Sequence, residues 1–416
     1  MSASSEEQAP IPTGMTKSSS NKYVVLGGGG AMGRAVARDL YDSSAEARIL
    51  VADLNLEAVR ATARSLGQGA DPGGRVEARQ VDVRDTTAMA GLLKGRDVVI
   101  NASNYYWNVQ VMRAALEAGT HYLDLGGLFH TTRKQLELDG AFRDRDLLAV
   151  LGIGSAPGIM NVLARYAGDR LERVRAIRIY NGVVDRAPSA SVLSVGYSLL
   201  TILDEGMLNP VVFERGEFRE VPTFSGQETV NFPEPVGSVT VHLAIHSEVA
   251  TLPLTYRSKG IQECFFKINY DPVLLQRLRF LIGLGMASTD PVEVRGQKIV
   301  PRDLLLALVA ALPQSDAPPD DHEVLRVVVS GEEKGRPVTY TLDAFADADP
   351  KRGLSAVAVD TGVPPSVVAQ MAARGDIRER GVHPPETCVE PATFFAEIGR
   401  RGMRVSVNRE EPLGRA

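Results

Sequence analysis

"VVLGGGGAMGRAVARDL", residues 24–40, places a glycine-rich turn between an apolar, β-branched run and a helical pattern. Tyr23 to Leu26 reads as a buried strand, and Ala31 to Leu40 as a helix with apolar residues three and four apart. Gly28, Gly30 and Gly33 fall on the spacing G-x-G-x-x-G. In this setting Gly28 permits a tight turn, Gly30 lets the backbone approach a pyrophosphate, and Gly33 lets the helix pack close to the strand. The helix start offers free N–H groups and the positive end of its dipole to phosphates. Twenty positions past Gly33, "RILVAD" is a second strand that ends at Asp53. A carboxylate there accepts from a ribose 2′-hydroxyl. It also repels a 2′-phosphate, and the following "LNLEA" has no Arg or Lys to hold one, so NAD is favoured over NADP. The competing reading is an Asp that only caps a helix beginning near Asn55.

Length and composition narrow the classes. At 416 residues, two domains are the natural expectation. The net charge of -5, with no basic run, argues against a nucleic-acid partner. No apolar stretch reaches the roughly 18 residues of a membrane span. Residues 1–21 lack the basic and apolar segments of a secretory signal and read as a disordered tail. Cys264 and Cys388 are the only cysteines, which fits a reducing compartment. The expectation is a cytoplasmic enzyme acting on a small molecule, with no membrane or nucleic-acid role.

Strands and helices keep alternating after Asp53. "VEARQVDVRD" leads to Asp82, "DVVINAS" to Asn101, "HYLDLGG" to Asp124, and "LLAVLGIG" to Gly154, with helical stretches between them. This predicts an α/β fold, a Rossmann-type doubly wound parallel sheet over residues 22–154. The pattern then changes. "VRAIRIYNGVV" alternates, and "LRVVVSGEEKGRPVTYTLDAF" reads as a hairpin turning at Glu332 to Gly335. Residues 155–362 are therefore expected to form a second α+β domain with a mostly antiparallel sheet. Residues 363–416 read as a helical segment packing back on the first domain.

Ligands of an open parallel sheet bind beyond the carboxyl ends of its strands. That puts Asn101 to Tyr106, Asp124 to Gly127 and Gly154 to Asn161 over the cofactor, with Asp82 and Val83 near the adenine. In "GSAPGIMN", Pro157 suits a first helical position and Gly158 lets a ligand approach exposed N–H groups; a plain helix start is the alternative. Asp124 either serves the cofactor or bonds the neighbouring loop. "YSLLTILDE" sets Tyr197, Thr201 and Asp204 along one helical face. "HSEVATLPLTYRSKG", read as a strand, gathers His246, Ser247, Glu248, Tyr256, Arg257 and Lys259. No H-E-x-x-H, paired C-x-x-C, P-loop or G-x-S-x-G occurs, so no metal is expected and hydride transfer remains.

Taken together, "VVLGGGGAMGRAVARDL", "DVVINAS", "GTHYLDLGG", "GSAPGIMNVLARY" and "RGVHPPE" resemble the saccharopine dehydrogenase family, in particular its lysine 6-dehydrogenase-like branch. The resemblance implies an NAD(P)-binding Rossmann domain completed by the C-terminal segment, and a second domain that often makes a homodimer. It implies oxidoreduction at a carbon–nitrogen bond of an amino acid. It maps cofactor contacts onto Gly28, Gly30, Ala31, Met32, Gly33, Asp53, Asp82, Val83, Asn101, Ala102 and Asp124, and substrate contacts onto Ser103, Asn104 and Gly126.

Amine oxidation needs a base to take a proton from the ammonium before hydride leaves the adjacent carbon. His246 is the expected proton acceptor, with Tyr197 and Glu248 orienting it. Gly158, Arg257 and Lys259 are expected to meet a substrate carboxylate. Lysine oxidation to a semialdehyde is the first reading. The alternatives are the reverse chemistry, a reductive saccharopine-, opine- or carboxyspermidine-forming enzyme, and a non-catalytic NAD sensor.

Overall fold

The computed structural model describes residues 21–67, 74–188, 193, 195–313 and 317–412; the tail expected at 1–21 lies, Asn21 apart, outside them. Six strands alternate with helices at the start: β1 (Lys22–Leu26), β2 (Arg48–Asp53), β3 (Val76–Gln80), β4 (Val98–Asn101), β5 (His121–Asp124) and β6 (Leu148–Val150). The chain continues through β7 (Arg173–Asp185), β8 (Val211–Glu214), β9 (Glu217–Glu220), β10 (Glu228–Asn231), β11 (Ser238–Leu243) and β12 (Glu263–Asn269). A small hairpin, β13 (Val292–Val294) and β14 (Gln297–Ile299), precedes the long pair β15 (Asp321–Glu333) and β16 (Arg336–Asp347). β17 (Gly381–His383) and β18 (Arg404–Glu410) come from the C-terminal segment.

Among the described residues the first sheet has the order β17-β6-β5-β4-β1-β2-β3, with every neighbouring pair parallel. The order reverses between β1 and β4, the switch point at which doubly wound sheets bind ligands. The second sheet runs β10-β11-β12-β7-β15-β16-β18, with β8 and β9 attached beside β12. β12 and β7 are parallel and the other pairs antiparallel. Lys334 and Gly335 both take positive φ, the two-residue turn that suits the twist of the β15–β16 hairpin. The fold class is the expected one, a Rossmann-type α/β sheet with a second, mostly antiparallel α+β unit.

The C-terminal segment differs from its reading. It is not purely helical, and it serves both sheets: β17 extends the first beside β6, and β18 extends the second beside β16. The boundary expected at 362/363 falls inside one helix, Ala356–Arg374, which carries Pro364 and Pro365 in its interior. Interior prolines weaken a helix by removing donors. This one persists because tertiary packing buries it on nearly all sides, the polar Asp360, Ser366 and Gln370 included. It lies against helix Ala31–Ser43 on one side and against β15 and β16 on the other, within a single apolar core shared by the two sheets.

Gly362 sets how closely the two helices approach. A β-carbon there would overlap the Ala35 methyl and lie 3.1 Å from the Val36 amide nitrogen. Gly362→Val is expected to destabilise the protein by about 1–3 kcal/mol through overpacking, read as a lower melting temperature. An unchanged melting temperature would contradict this packing.

Candidate active site

The glycine turn forms a cradle. The tight turn is made one residue earlier than expected, at Gly27, whose φ is +71°. Gly33 packs as expected: a β-carbon on it would overlap the Gly27 carbonyl. At exposed Gly30 a β-carbon would meet only the Gly27 oxygen, at 3.3 Å, and no side chain caps the helix that follows. Its outer face, with the adjoining Ala31 and Met32, is therefore open to a phosphate, and the cradle fits a dinucleotide. Asp53 Oδ2 accepts from the Gly29 amide at 3.2 Å and Oδ1 from the Asn55 amide at 3.0 Å. The cap of helix Leu56–Leu66 is instead the Asn55 side chain, bonded to the Ala58 amide, so capping does not account for Asp53. Beyond β3, hydrogen bonds and an ion pair with Arg84 hold the Asp82 carboxyl down at about 2, and Val83 packs against the core on one face of the sheet.

Beyond the strand ends lies a cavity of about 1360 Å³, lined on this side by Met32, Ala102, Ser103, Asn104 and Gly126. Two expected cofactor contacts lie behind it. The Asn101 side chain is buried, donating to Asn108 Oδ1 at 2.9 Å and accepting from the Ser103 amide and hydroxyl. Asp124 is also buried, and its carboxylate accepts from Gly126 N, Gly152 N, Tyr122 Oη and Gln135 Nε2 at 2.5–2.9 Å. Burial pushes its pKa up against the pull of these donors. Both side chains shape the strand-end loops and have no free group for the cofactor.

The facing wall comes from the second unit. His246 Nδ1 is hydrogen-bonded to Glu248 Oε2, and the imidazole stacks on Phe266 with centroids 3.8 Å apart. Burial works against the imidazolium, but the Glu248 carboxylate, and Glu205 beyond it, raise the His246 pKa overall. Ser247 ties this segment to the first sheet, accepting from the Gly127 amide at 3.2 Å and donating to the Leu128 carbonyl at 3.3 Å. Glu248 is as expected beside His246, whereas Tyr197 is not. Its hydroxyl donates to Glu205 Oε2 at 2.6 Å, as does that of Tyr270 at 3.0 Å. Tyr197 precedes helix Leu199–Met207, so helical spacing does not place it beside Asp204.

Three expected substrate contacts are elsewhere. The segment read as a strand is helix Glu248–Thr255 followed by a 3₁₀ turn, which carries Arg257 and Lys259 to the end away from His246. Lys259 there donates to the Gly168 and Leu171 carbonyls. Gly158 is buried, its amide donating to Asn161 Oδ1 at 3.0 Å, and the helix starts at Ile159 rather than at Pro157. Gly158 is required for packing, because a β-carbon would overlap the Gly154 backbone. Cationic side chains do line the cavity, Arg277 and Arg279 on helix Pro272–Gly283.

Asp204 bonds neither Tyr197 nor Thr201, the residues expected on its helical face. Its carboxylate accepts from the Tyr105 and Tyr106 hydroxyls beyond β4 and from Arg302 at 2.8 Å, joining the two units at the cavity's edge. The sequence does not single out Tyr270 and Phe266; Glu205 is visible in it only as the acid beside Asp204 in the same helical run.

Residues 23–150 match the saccharopine dehydrogenase NADP-binding domain and residues 154–403 the saccharopine dehydrogenase C-terminal domain. The chain belongs to the saccharopine dehydrogenase family, and is a nicotinamide-dinucleotide-dependent oxidoreductase. It is 26% identical over 400 residues to carboxyaminopropylagmatine dehydrogenase of Synechocystis, covering 92% of this chain and 96% of that protein. It is 25% identical over 361 residues to carboxynorspermidine synthase of Vibrio cholerae, covering 82% and 85%. Apo saccharopine dehydrogenase (L-Glu forming) of Saccharomyces cerevisiae has the same fold, with a TM-score of 0.71 at 17% identity over 94% of this chain and 100% of that one.

Asp124→Ala leaves several buried donors without an acceptor. It is expected to cost at least about 3 kcal/mol, measured by urea unfolding. A loss below about 1 kcal/mol would show that the strand-end loops do not depend on it.

Proposed function

We propose that the chain joins an amine to a carboxylated aldehyde by reduction of the imine between them, giving a secondary amine. The observation that carries this reading is the His246–Glu248 pair, stacked on Phe266 in the cavity that opens onto Ala102, Ser103 and Gly126. The names of the two curated relatives support it, since both contain a carboxylated amine of polyamine type rather than lysine, and one is a synthase. A carboxyaminopropyl group on nitrogen is what a four-carbon amino-acid semialdehyde leaves after such a condensation.

The amine and aldehyde first lose water to form the imine. A dinucleotide held at the Gly30–Met32 turn and Asp53 would supply the hydride that the imine carbon accepts. His246, whose imidazolium form the Glu248 carboxylate favours, gives its proton to the imine nitrogen; the iminium so formed is more electrophilic at carbon, and hydride addition there returns the nitrogen to a neutral amine. The reverse direction uses the same imidazole as base. Phe266 fixes the ring plane, while Arg277 and Arg279 offer charge to the substrate carboxylate. Asp53, at the ribose position, favours NADH over NADPH by repelling a 2′-phosphate.

Loss of NADH absorbance should require both a diamine and a semialdehyde. His246→Ala is expected to lower kcat about 10²- to 10⁴-fold without weakening NADH binding. The raised His246 pKa keeps the acid form available to higher pH, and reductive activity falls as pH rises through it. Glu248→Gln removes a raising influence, so the alkaline limb of the kcat profile should move to lower pH. An unmoved limb would remove His246 from the acid role. Asp53→Ala should narrow the preference for NADH over NADPH at least about tenfold; an unchanged ratio would contradict the role given to Asp53.

A further inference from the structure

One wall of the cavity holds acids that the hydride step does not use. β7 and β15 are paired, and Asn181, Asp321 and Glu323 from these strands line the cavity. Helix Ala356–Arg374 sets Asp360 behind them, against Glu323. All four side chains are buried, with relative exposures of 7%, 6%, 2% and 0%. Donors are scarce there. Asn181 Nδ2 gives a 2.7 Å bond to Glu323 Oε1, and the Val357 amide and Thr361 hydroxyl reach Asp321 Oδ2 and Asp360 Oδ1 at 3.5 and 3.4 Å. Asp321 Oδ1, Glu323 Oε2, Asp360 Oδ2 and Asn181 Oδ1 have no partner among backbone groups and neutral side chains, and the Glu323 and Asp360 carboxyls satisfy one another only by sharing a proton.

Buried carboxylates without partners are costly, and packing alone would be served better by apolar side chains. Burial, then the neighbouring acids, hold the Asp360 carboxyl well above the usual range, and Glu323 is also raised. Asp321 acts as a charge on both; Glu323 acts as a charge on Asp360, while Asp360 acts on Glu323 through a hydrogen bond that opposes the effect of burial. Asn181 is a separate indication. Its amide oxygen is neutral and cannot be relieved by a proton shared between acids, yet it too lacks a donor at the same wall.

What fits is a ligand that brings several N–H donors and a positive charge. A primary ammonium carries three and a guanidinium five. We infer that the wall formed by Asn181, Asp321 and Glu323, backed by Asp360, seats the positively charged end of the amine substrate, several bonds from the reacting nitrogen. The identification of that ligand as substrate rests on the reaction proposed above. The wall lies on the same cavity as His246: Glu323 acts electrostatically on Tyr197, Tyr197 bonds Glu205, and Glu205 acts on His246. The cavity thus offers carboxylates for a cation and Arg277 and Arg279 for an anion, which matches a carboxylated polyamine in both charges. Among the described residues, no group of three or more His, Cys, Asp or Glu side chains is arranged to hold a metal ion.

The test is calorimetric titration of the full chain, saturated with NADH, with 1,3-diaminopropane, agmatine and propylamine, which lacks the second cation. The wild type should bind at least one of the two dications about 10- to 100-fold more tightly than propylamine. Glu323→Gln and Asp360→Asn should each remove most of that advantage and leave the NADH affinity unchanged. Their melting temperatures should stay level or rise, since each relieves carboxylate crowding; a purely structural cluster would melt lower. The proposal is overturned if the wild type shows no preference for either dication, if folded variants keep it, or if Mg²⁺ or Ca²⁺ displaces the diamine. Binding is read without turnover. Discrimination with no NADH consumption would refute the reaction and leave the wall standing, whereas turnover without discrimination would refute the wall alone.

Discussion

The Asp124 carboxylate is the point on which the site depends. It sits at the end of β5 and accepts from backbone amides of the loops that follow β5 and β6, so one buried charge sets the height of both. Its bond from Gln135 draws in the next helix, and Gln135 with Asn108 continues the network to Asn101 at the end of β4. Ionic hydrogen bonds in a low-dielectric interior are strong when every lone pair is satisfied. The loops that face the cofactor are thus fixed from behind, and Ala102, Ser103 and Gly126 are left to line the cavity.

The second requirement is that His246 meet those loops from another unit. Ser247, bonded to Gly127 and Leu128, and Asp204, bonded to Tyr105, Tyr106 and Arg302, make two polar joints across the gap. Helix Ala356–Arg374 makes the apolar one. Asn161 and Glu386 bond at 2.8 Å, tying the start of the helix after β6 to the C-terminal segment. These contacts are long-range in sequence, and the cavity exists only once all of them have formed.

That division explains what could be read in advance. The strand–turn–helix of residues 24–40, the acid at Asp53 and the βα alternation are local, so periodicity and spacing disclosed them. His246 and Glu248 are two residues apart and were visible as a dense polar run. Arg257 and Lys259 belong to the same run, but a helix rather than a strand carries them away from the cavity. Asn181, Glu323 and Asp360 are brought together by pairing of β7 with β15 and by a helix that spans the boundary expected at 362/363. Glu205 needed Tyr270, sixty-five positions away, before its role showed. The resemblance to the saccharopine dehydrogenase family carries the reaction class, and the names of the two relatives agree with the reductive alternative rather than with lysine oxidation.

The most direct test of this account is to follow deuterium from NADH labelled at both positions of nicotinamide C4 during turnover of a diamine with a four-carbon amino-acid semialdehyde. The account predicts a secondary amine carrying one deuterium on the former aldehyde carbon, now bonded to nitrogen, as read by mass spectrometry. Deuterium on a carbon bearing a hydroxyl group, from direct reduction of the aldehyde, or a condensed product without deuterium, would contradict it.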